Sequence, residues 1–228
     1  YTNGRVPVVA GVLEPGIGES IKFAKICKAA GADALLLLAP FYVHPTQDGI
    51  IDFFCAVDRA VNMPLLVYNI PYRTCVNVLP ETVEKMCELI PNIIGMKECS
   101  PSFGQAVELI QKVGSKISVL SGEEFLMSGE VLMGAKGAIM ATANLIPDVW
   151  VRLYDLAAAH KIAELSDLLK TYYPLIKLLF KEINPGPLKY AMSRIGLDMG
   201  QISIPLREPS DELKVELDAE MKKLGLIK

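Results

Sequence analysis

Short apolar runs recur along this chain, each followed by a stretch of helical periodicity, and that alternation restricts the fold more than any other feature. The runs lie at 6–10, 34–39, 65–69, 93–97, 117–121 and 137–142. Helical spacing is predicted between them over 18–30, 47–61, 80–89, 103–113 and 123–133. Near-continuous apolar strands separated by helices indicate a parallel sheet covered by helices. Pro80 with Glu81, and Pro147 with Asp148, make favourable first helical turns. Beyond Asn144 the pattern is helical throughout, over 147–160, 163–182, 186–195 and 210–224, with breaks expected at Pro174, Pro185 and Pro205 and a loop at 196–200. The chain therefore divides into strand–helix units over 1–146 and a helical region over 147–228. Six units do not close an eight-stranded barrel. Either the sheet is open and doubly wound or two units are lacking, and periodicity leaves both open. Gly11-Val12-Leu13-Glu14-Pro15-Gly16 has the wrong glycine spacing for a dinucleotide loop.

Composition narrows the function classes. Of 228 residues, 51% are hydrophobic and 21% charged, which describes a well-filled globular core. The net charge of −3 and the scattered Lys and Arg give no electrostatic footprint for nucleic acid. No apolar stretch is long enough to span a membrane. The five cysteines, Cys27, Cys55, Cys75, Cys87 and Cys99, are odd in number and form no CxxC pair. They read as reduced thiols, and a cytoplasmic location is expected. His44 and His160 lack ligand-spaced companions, so no metal site is expected.

Two residues stand out chemically. Lys97 ends the run Ile93-Ile94-Gly95-Met96, and Tyr68 ends Leu65-Leu66-Val67 at the same place relative to its strand. In neighbouring parallel strands the amine and the phenol would converge on one face. Such a pair suits Schiff-base chemistry, with the amine as nucleophile and the phenol as proton carrier. An amine must lose its proton before it attacks a ketone, and apolar surroundings favour the neutral form.

These residues sit in motifs that bring a family into view. Tyr68-Asn69-Ile70-Pro71-Tyr72-Arg73-Thr74 and Ile94-Gly95-Met96-Lys97-Glu98 resemble the dihydrodipicolinate synthase and N-acetylneuraminate lyase superfamily of pyruvate-dependent aldolases. Further matches are Pro40-Phe41-Tyr42, Leu120-Ser121-Gly122-Glu123-Glu124, Gly137-Ala138-Ile139 with Thr142-Ala143-Asn144, and Asn184-Pro185-Gly186-Pro187-Leu188-Lys189. The resemblance implies a TIM (β/α)8 barrel with extra C-terminal helices, entered here at the third strand. The family's Gly-Thr-Thr-Gly-Glu segment, whose threonines help to hold the pyruvate carboxylate, has no counterpart in this sequence.

The resemblance also implies roles. Lys97 would form the Schiff base and Tyr68 would carry protons. Tyr42 would complete a relay across a tight dimer interface, within a dimer of dimers. Arg73 would bind the carboxylate of a second substrate, and Gly122 and Ile139 would offer backbone close to substrate and lysine. Thr142 and Asn144 would shape the last strand's loop. The implied reaction condenses pyruvate with L-aspartate semialdehyde in lysine and diaminopimelate biosynthesis, with no metal or organic cofactor. Cys75 replaces the family's glycine after Arg-Thr, and Tyr72 replaces a small residue. Both departures leave room for a lyase that releases pyruvate from a 2-keto-3-deoxy sugar acid or N-acetylneuraminate. A non-catalytic, truncated paralogue is the other alternative. Where lysine-inhibited relatives carry Asn and Tyr, this chain has Pro15 and Phe41, while Glu19 matches, so weak or absent lysine feedback is expected.

Overall fold

The computed structural model describes residues 2–228. It divides into two compact units, one ending at Ile139 and the other spanning Met140–Lys228.

The first unit is a six-stranded parallel sheet. Its strands are β1 (Val9–Val12), β2 (Ala34–Leu38), β3 (Leu65–Asn69), β4 (Ile93–Glu98), β5 (Ser118–Ser121) and β6 (Gly137–Ala138). They lie side by side in sequence order, each parallel to the next. Helices connect them: α1 (Ile17–Ala29), α2 (Gln47–Val61), α3 (Pro71–Thr74) with α4 (Pro80–Leu89), α5 (Phe103–Val113) and α6 (Met127–Leu132). A doubly wound sheet reverses its strand order at a switch point. This sheet has no reversal, so of the two alternatives it has the order of consecutive barrel strands.

Local chemistry explains the elements. Thr46 caps α2 by accepting from Gly49 N at 3.2 Å, and Asn62 ends it in the left-handed region at φ 50°. Ile50, Phe53, Phe54, Val57 and Val61 recur at helical spacing and are buried. Ser102 caps α5 in the same way through Gln105 N. Leu35, Leu37, Leu65, Val67 and Met96, which the register sets on one face of the sheet, are fully buried there.

The differences from the sequence reading have local causes. β1 starts at Val9 rather than at residue 6, because Pro7 has no N–H for the ladder and Val8 N donates instead to Asp33 Oδ2 at 2.7 Å. β6 pairs only over Gly137–Ala138, although strand was expected to 142. Ile139 N still donates to Ser121 O at 2.8 Å, but β5 then ends and offers no further partner. Thr142–Asn144 instead form a 3₁₀ turn, tied by Leu145 N to Thr142 O and by Asn144 Nδ2 to Ala141 O. α6 is shorter than 123–133, since the chain at Glu123 first makes a turn closed by Leu126 N.

The second unit is helical: α7 (Pro147–Ala158), α8 (Ile162–Leu179), α9 (Gly186–Arg194) and α10 (Asp211–Lys223). Pro174 does not break α8 as expected; the helix passes through it. Leu175, Ile176 and Leu179 just beyond it are buried, and that packing offsets the one backbone bond a proline removes.

Candidate active site

In a parallel sheet the carboxyl ends of the strands form the functional rim. At that rim β3 and β4 pair Tyr68 with Lys97 and Asn69 with Glu98. Side chains alternate between faces, so Tyr68 and Lys97 share one face and Asn69 and Glu98 the other. Lys97 Nζ donates to Tyr68 OH at 3.4 Å and lies 4.5 Å from the ring centroid. Burial, reinforced by neighbouring Cys99, holds the Tyr68 phenol well above its ordinary value, so it is a neutral donor at any physiological pH.

Apolar groups surround the pair. Leu38, Ile70 and Cys99 form a buried cluster against which Phe41 and Tyr68 pack. Burial pushes the Cys99 thiol up to about 12. Gly122 follows β5 and donates its N–H to Glu98 O at 2.7 Å. A Cβ there would meet Cys99 Sγ, would lie 2.8 Å from Lys97 Cε and 3.1 Å from Glu98 O. Glycine is therefore required by the closeness of the backbone to the lysine stem.

Ile139 follows β6 with its N–H on Ser121 O, at the same rim. Arg73 lies on α3, a one-turn helix that the strand–helix pattern does not predict, started by Pro71. Its guanidinium sits 5.9 Å from the Tyr72 ring centroid and is exposed. Cys75 ends α3 at φ 56°, a conformation that suits glycine. The structure thus brings together Lys97, Tyr68 and Gly122. Tyr42 is set apart: it is 86% exposed at φ 74° in the loop after β2, and makes no hydrogen bond to either.

Three groups at this rim escaped the sequence reading. Glu98 is 1% exposed, and burial pushes its carboxyl up to about 7 against hydrogen bonds from Ser100 N, Asn69 and Gln105. Asn69 is its fully buried partner. Burial and the neighbouring Glu124 likewise push the Glu123 carboxyl up to about 7. A signal existed for the first two: both apolar runs end in a polar dipeptide, Tyr68-Asn69 and Lys97-Glu98, whose second member faces away from the first. Among the described residues no group of three His, Cys, Asp or Glu side chains could hold a metal ion, and no helix is long and apolar enough to cross a membrane.

The chain as a whole is similar to known proteins. Residues 1–224 match the dihydrodipicolinate synthetase family. The chain is 37% identical over 225 residues to a 4-hydroxy-tetrahydrodipicolinate synthase of Methanocaldococcus jannaschii, covering 99% of this chain and 77% of that one. It is 34% identical over 228 residues to the enzyme of the same name from Methanococcus maripaludis, covering 100% and 78%. The crystal structure of dihydrodipicolinate synthase from Aquifex aeolicus superposes with a TM-score of 0.94 at 32% identity, covering 99% and 77%.

Proposed function

Because the chain belongs to the dihydrodipicolinate synthetase family, we propose that it is a lyase that condenses pyruvate with L-aspartate semialdehyde to 4-hydroxy-tetrahydrodipicolinate. The observation that carries this reading is the contact of Lys97 Nζ with Tyr68 OH at the carboxyl rim of the sheet.

The neutral amine of Lys97 adds to C2 of pyruvate. The resulting hydroxyl takes a proton from the Tyr68 phenol and leaves as water, giving a protonated imine. Loss of a C3 proton to the phenolate gives the enamine, with the imine itself as the electron sink. C3 then attacks the aldehyde carbon, whose oxygen takes up a proton. The amino group of the adduct displaces Lys97 from C2, closing the ring and freeing the enzyme. Arg73 binds the aldehyde substrate's carboxylate, a pairing that favours guanidinium geometry. Gly122 and Ile139 supply backbone beside the reacting atoms, and Tyr42 extends the proton relay from a neighbouring subunit of a homo-oligomer, a dimer of dimers. The six strands take the place of six consecutive strands of an eight-stranded (β/α)8 barrel, and the enzyme is cytoplasmic.

A second reading keeps one specific support. Tyr72 and Cys75 flank Arg73 on α3 and its cap, where the second substrate would lie. Cleavage of a 2-keto-3-deoxy sugar acid is the same chemistry run backwards. Steady-state rates decide between them: the proposal expects turnover with pyruvate and L-aspartate semialdehyde to exceed cleavage of N-acetylneuraminate or a 2-keto-3-deoxy sugar acid by orders of magnitude. Faster cleavage would reverse the assignment.

A further inference from the structure

The β3–β4 ladder is irregular at its start. Leu65 pairs with Ile93 but Leu66 pairs with Gly95, so Ile94 has no counterpart on β3 and is left 47% exposed. A bulge of this kind lets a strand carry an extra residue, and a one-residue slip moves every later side chain to the other face. Slippage here would take Lys97 away from Tyr68. Gly95 opposes it at one end, since a Cβ there would lie 2.9 Å from Ser118 O and 3.3 Å from Leu66 Cδ2. The other end is held by side chains.

We propose that Asn69 and Glu98 are positioning residues, whose side-chain hydrogen bonds behind the sheet fix the register that sets Tyr68 opposite Lys97. This deepens the proposed function and rests on it for the identity of the reaction. Asn69 Nδ2 donates to Glu98 Oε1 at 3.0 Å and lies 3.2 Å from Oε2. Asn69 is otherwise committed: its Oδ1 accepts from Val78 N at 3.0 Å and its Nδ2 also reaches Asn77 Oδ1 at 2.9 Å. Glu98 is committed too, accepting from Ser100 N at 2.5 Å and Gln105 Nε2 at 3.3 Å. Asn77 and Gln105 close the network on each other, with Asn77 Nδ2 on Gln105 Oε1 at 2.8 Å and Gln105 Nε2 on Asn77 Oδ1 at 3.1 Å. A slipped register would leave buried donors and acceptors without partners on β3, β4, α5 and the 75–78 loop at once. The clamp stands one residue from the chemistry on each strand, yet faces away from any substrate.

Polarity makes the claim testable. At pH 8, above the value of about 7 to which burial raises Glu98, Asn69→Asp opposes two buried carboxylates and also removes the donor to Asn77; adding Glu98→Gln restores one donor and one acceptor between the strands, so the double variant should recover what the single one loses. Two readouts are taken on folded protein, checked by circular dichroism. One is the NMR shift of the Lys97 ε-methylene in 13C-lysine-labelled protein, displaced by the Tyr68 ring while the two stay in contact and assigned with Lys97→Arg. The other is the split between kcat and KM for pyruvate. N69D should lose most of the ring-induced shift and about tenfold or more in kcat, with KM little changed, and N69D/E98Q should regain both. If N69D does not fold, Asn69→Ser, which removes the amide without adding charge, is judged by the same two readouts. A folded single variant that keeps both the shift and kcat overturns the proposal. A wild-type protein inert toward both substrates defeats the functional reading instead, and the NMR readout still decides the register.

Discussion

Gly122→Ala puts one methyl group where the site has least room. Its Cβ would meet Cys99 Sγ and lie 2.8 Å from Lys97 Cε and 3.1 Å from Glu98 O. The backbone cannot withdraw cheaply, because Gly122 N–H is bonded to that same Glu98 carbonyl at 2.7 Å. Cys99 cannot withdraw either, being 1% exposed and packed against Leu38 and Ile70. The lysine stem is the softest of the three neighbours and will move. Overpacking of this kind costs about 1–3 kcal/mol, which for a chain of this size lowers Tm by roughly 4–8 °C at 2 kcal/mol. Displacing the nucleophile by an ångström costs about 100-fold in rate. Differential scanning calorimetry and kcat with pyruvate and L-aspartate semialdehyde read the two effects. Adding Cys99→Ala relieves the sulfur contact but not the lysine one, so it should restore part of the Tm and little of the rate. A G122A protein with unchanged Tm and kcat would refute the packing argument.

Other expectations follow from single groups. Tyr68→Phe keeps the ring and removes the proton carrier, so kcat should fall by about 100-fold or more; an unchanged kcat would remove Tyr68 from the mechanism. Glu98 holds its proton in the fold up to about pH 7, whereas the unfolded carboxyl releases it near 4.5. Between those values the native state binds more protons, so stability falls as pH rises, by at most about 3 kcal/mol. Urea midpoints between pH 5 and 7 should show this slope, and Glu98→Gln should lessen it, leaving the share of Glu123, whose carboxyl is raised over the same range; an equal slope in the variant contradicts the assignment. Cys75→Gly removes a side chain from a left-handed position and should stabilise the fold by about 1 kcal/mol, with a lower urea midpoint as the contrary result. Millimolar L-lysine should leave the rate unchanged given Pro15 and Phe41; inhibition would show that another polar pair serves there.

The sheet was legible because its signal is redundant. Five-residue apolar runs such as 65–69, bounded by Pro64 and Ile70-Pro71, mark strands by length, composition and punctuation together. What failed to show were features decided by partners. β6 shortened because β5 ran out, and α8 ignored Pro174 because burial beyond it outweighed one bond. α3 was invisible because four residues carry no helical period. In the site, Lys97 and Tyr68 could be read from their incongruity at the ends of apolar runs. Glu98 and Asn69 showed only as the second members of the polar dipeptides that end these runs; that they join behind the sheet is visible once the ladder sets them side by side. For Gly122 the resemblance gave nearness to the lysine, but not that the lysine stem and Cys99 exclude a methyl group there.

The central claim is that Lys97 is the nucleophile toward pyruvate. Borohydride reduction of the protein with pyruvate, followed by peptide mass mapping, tests it directly. The account predicts a stable adduct on Lys97, absent without pyruvate and strongly reduced in Tyr68→Phe. No adduct from folded protein, or an adduct on another lysine, would contradict it.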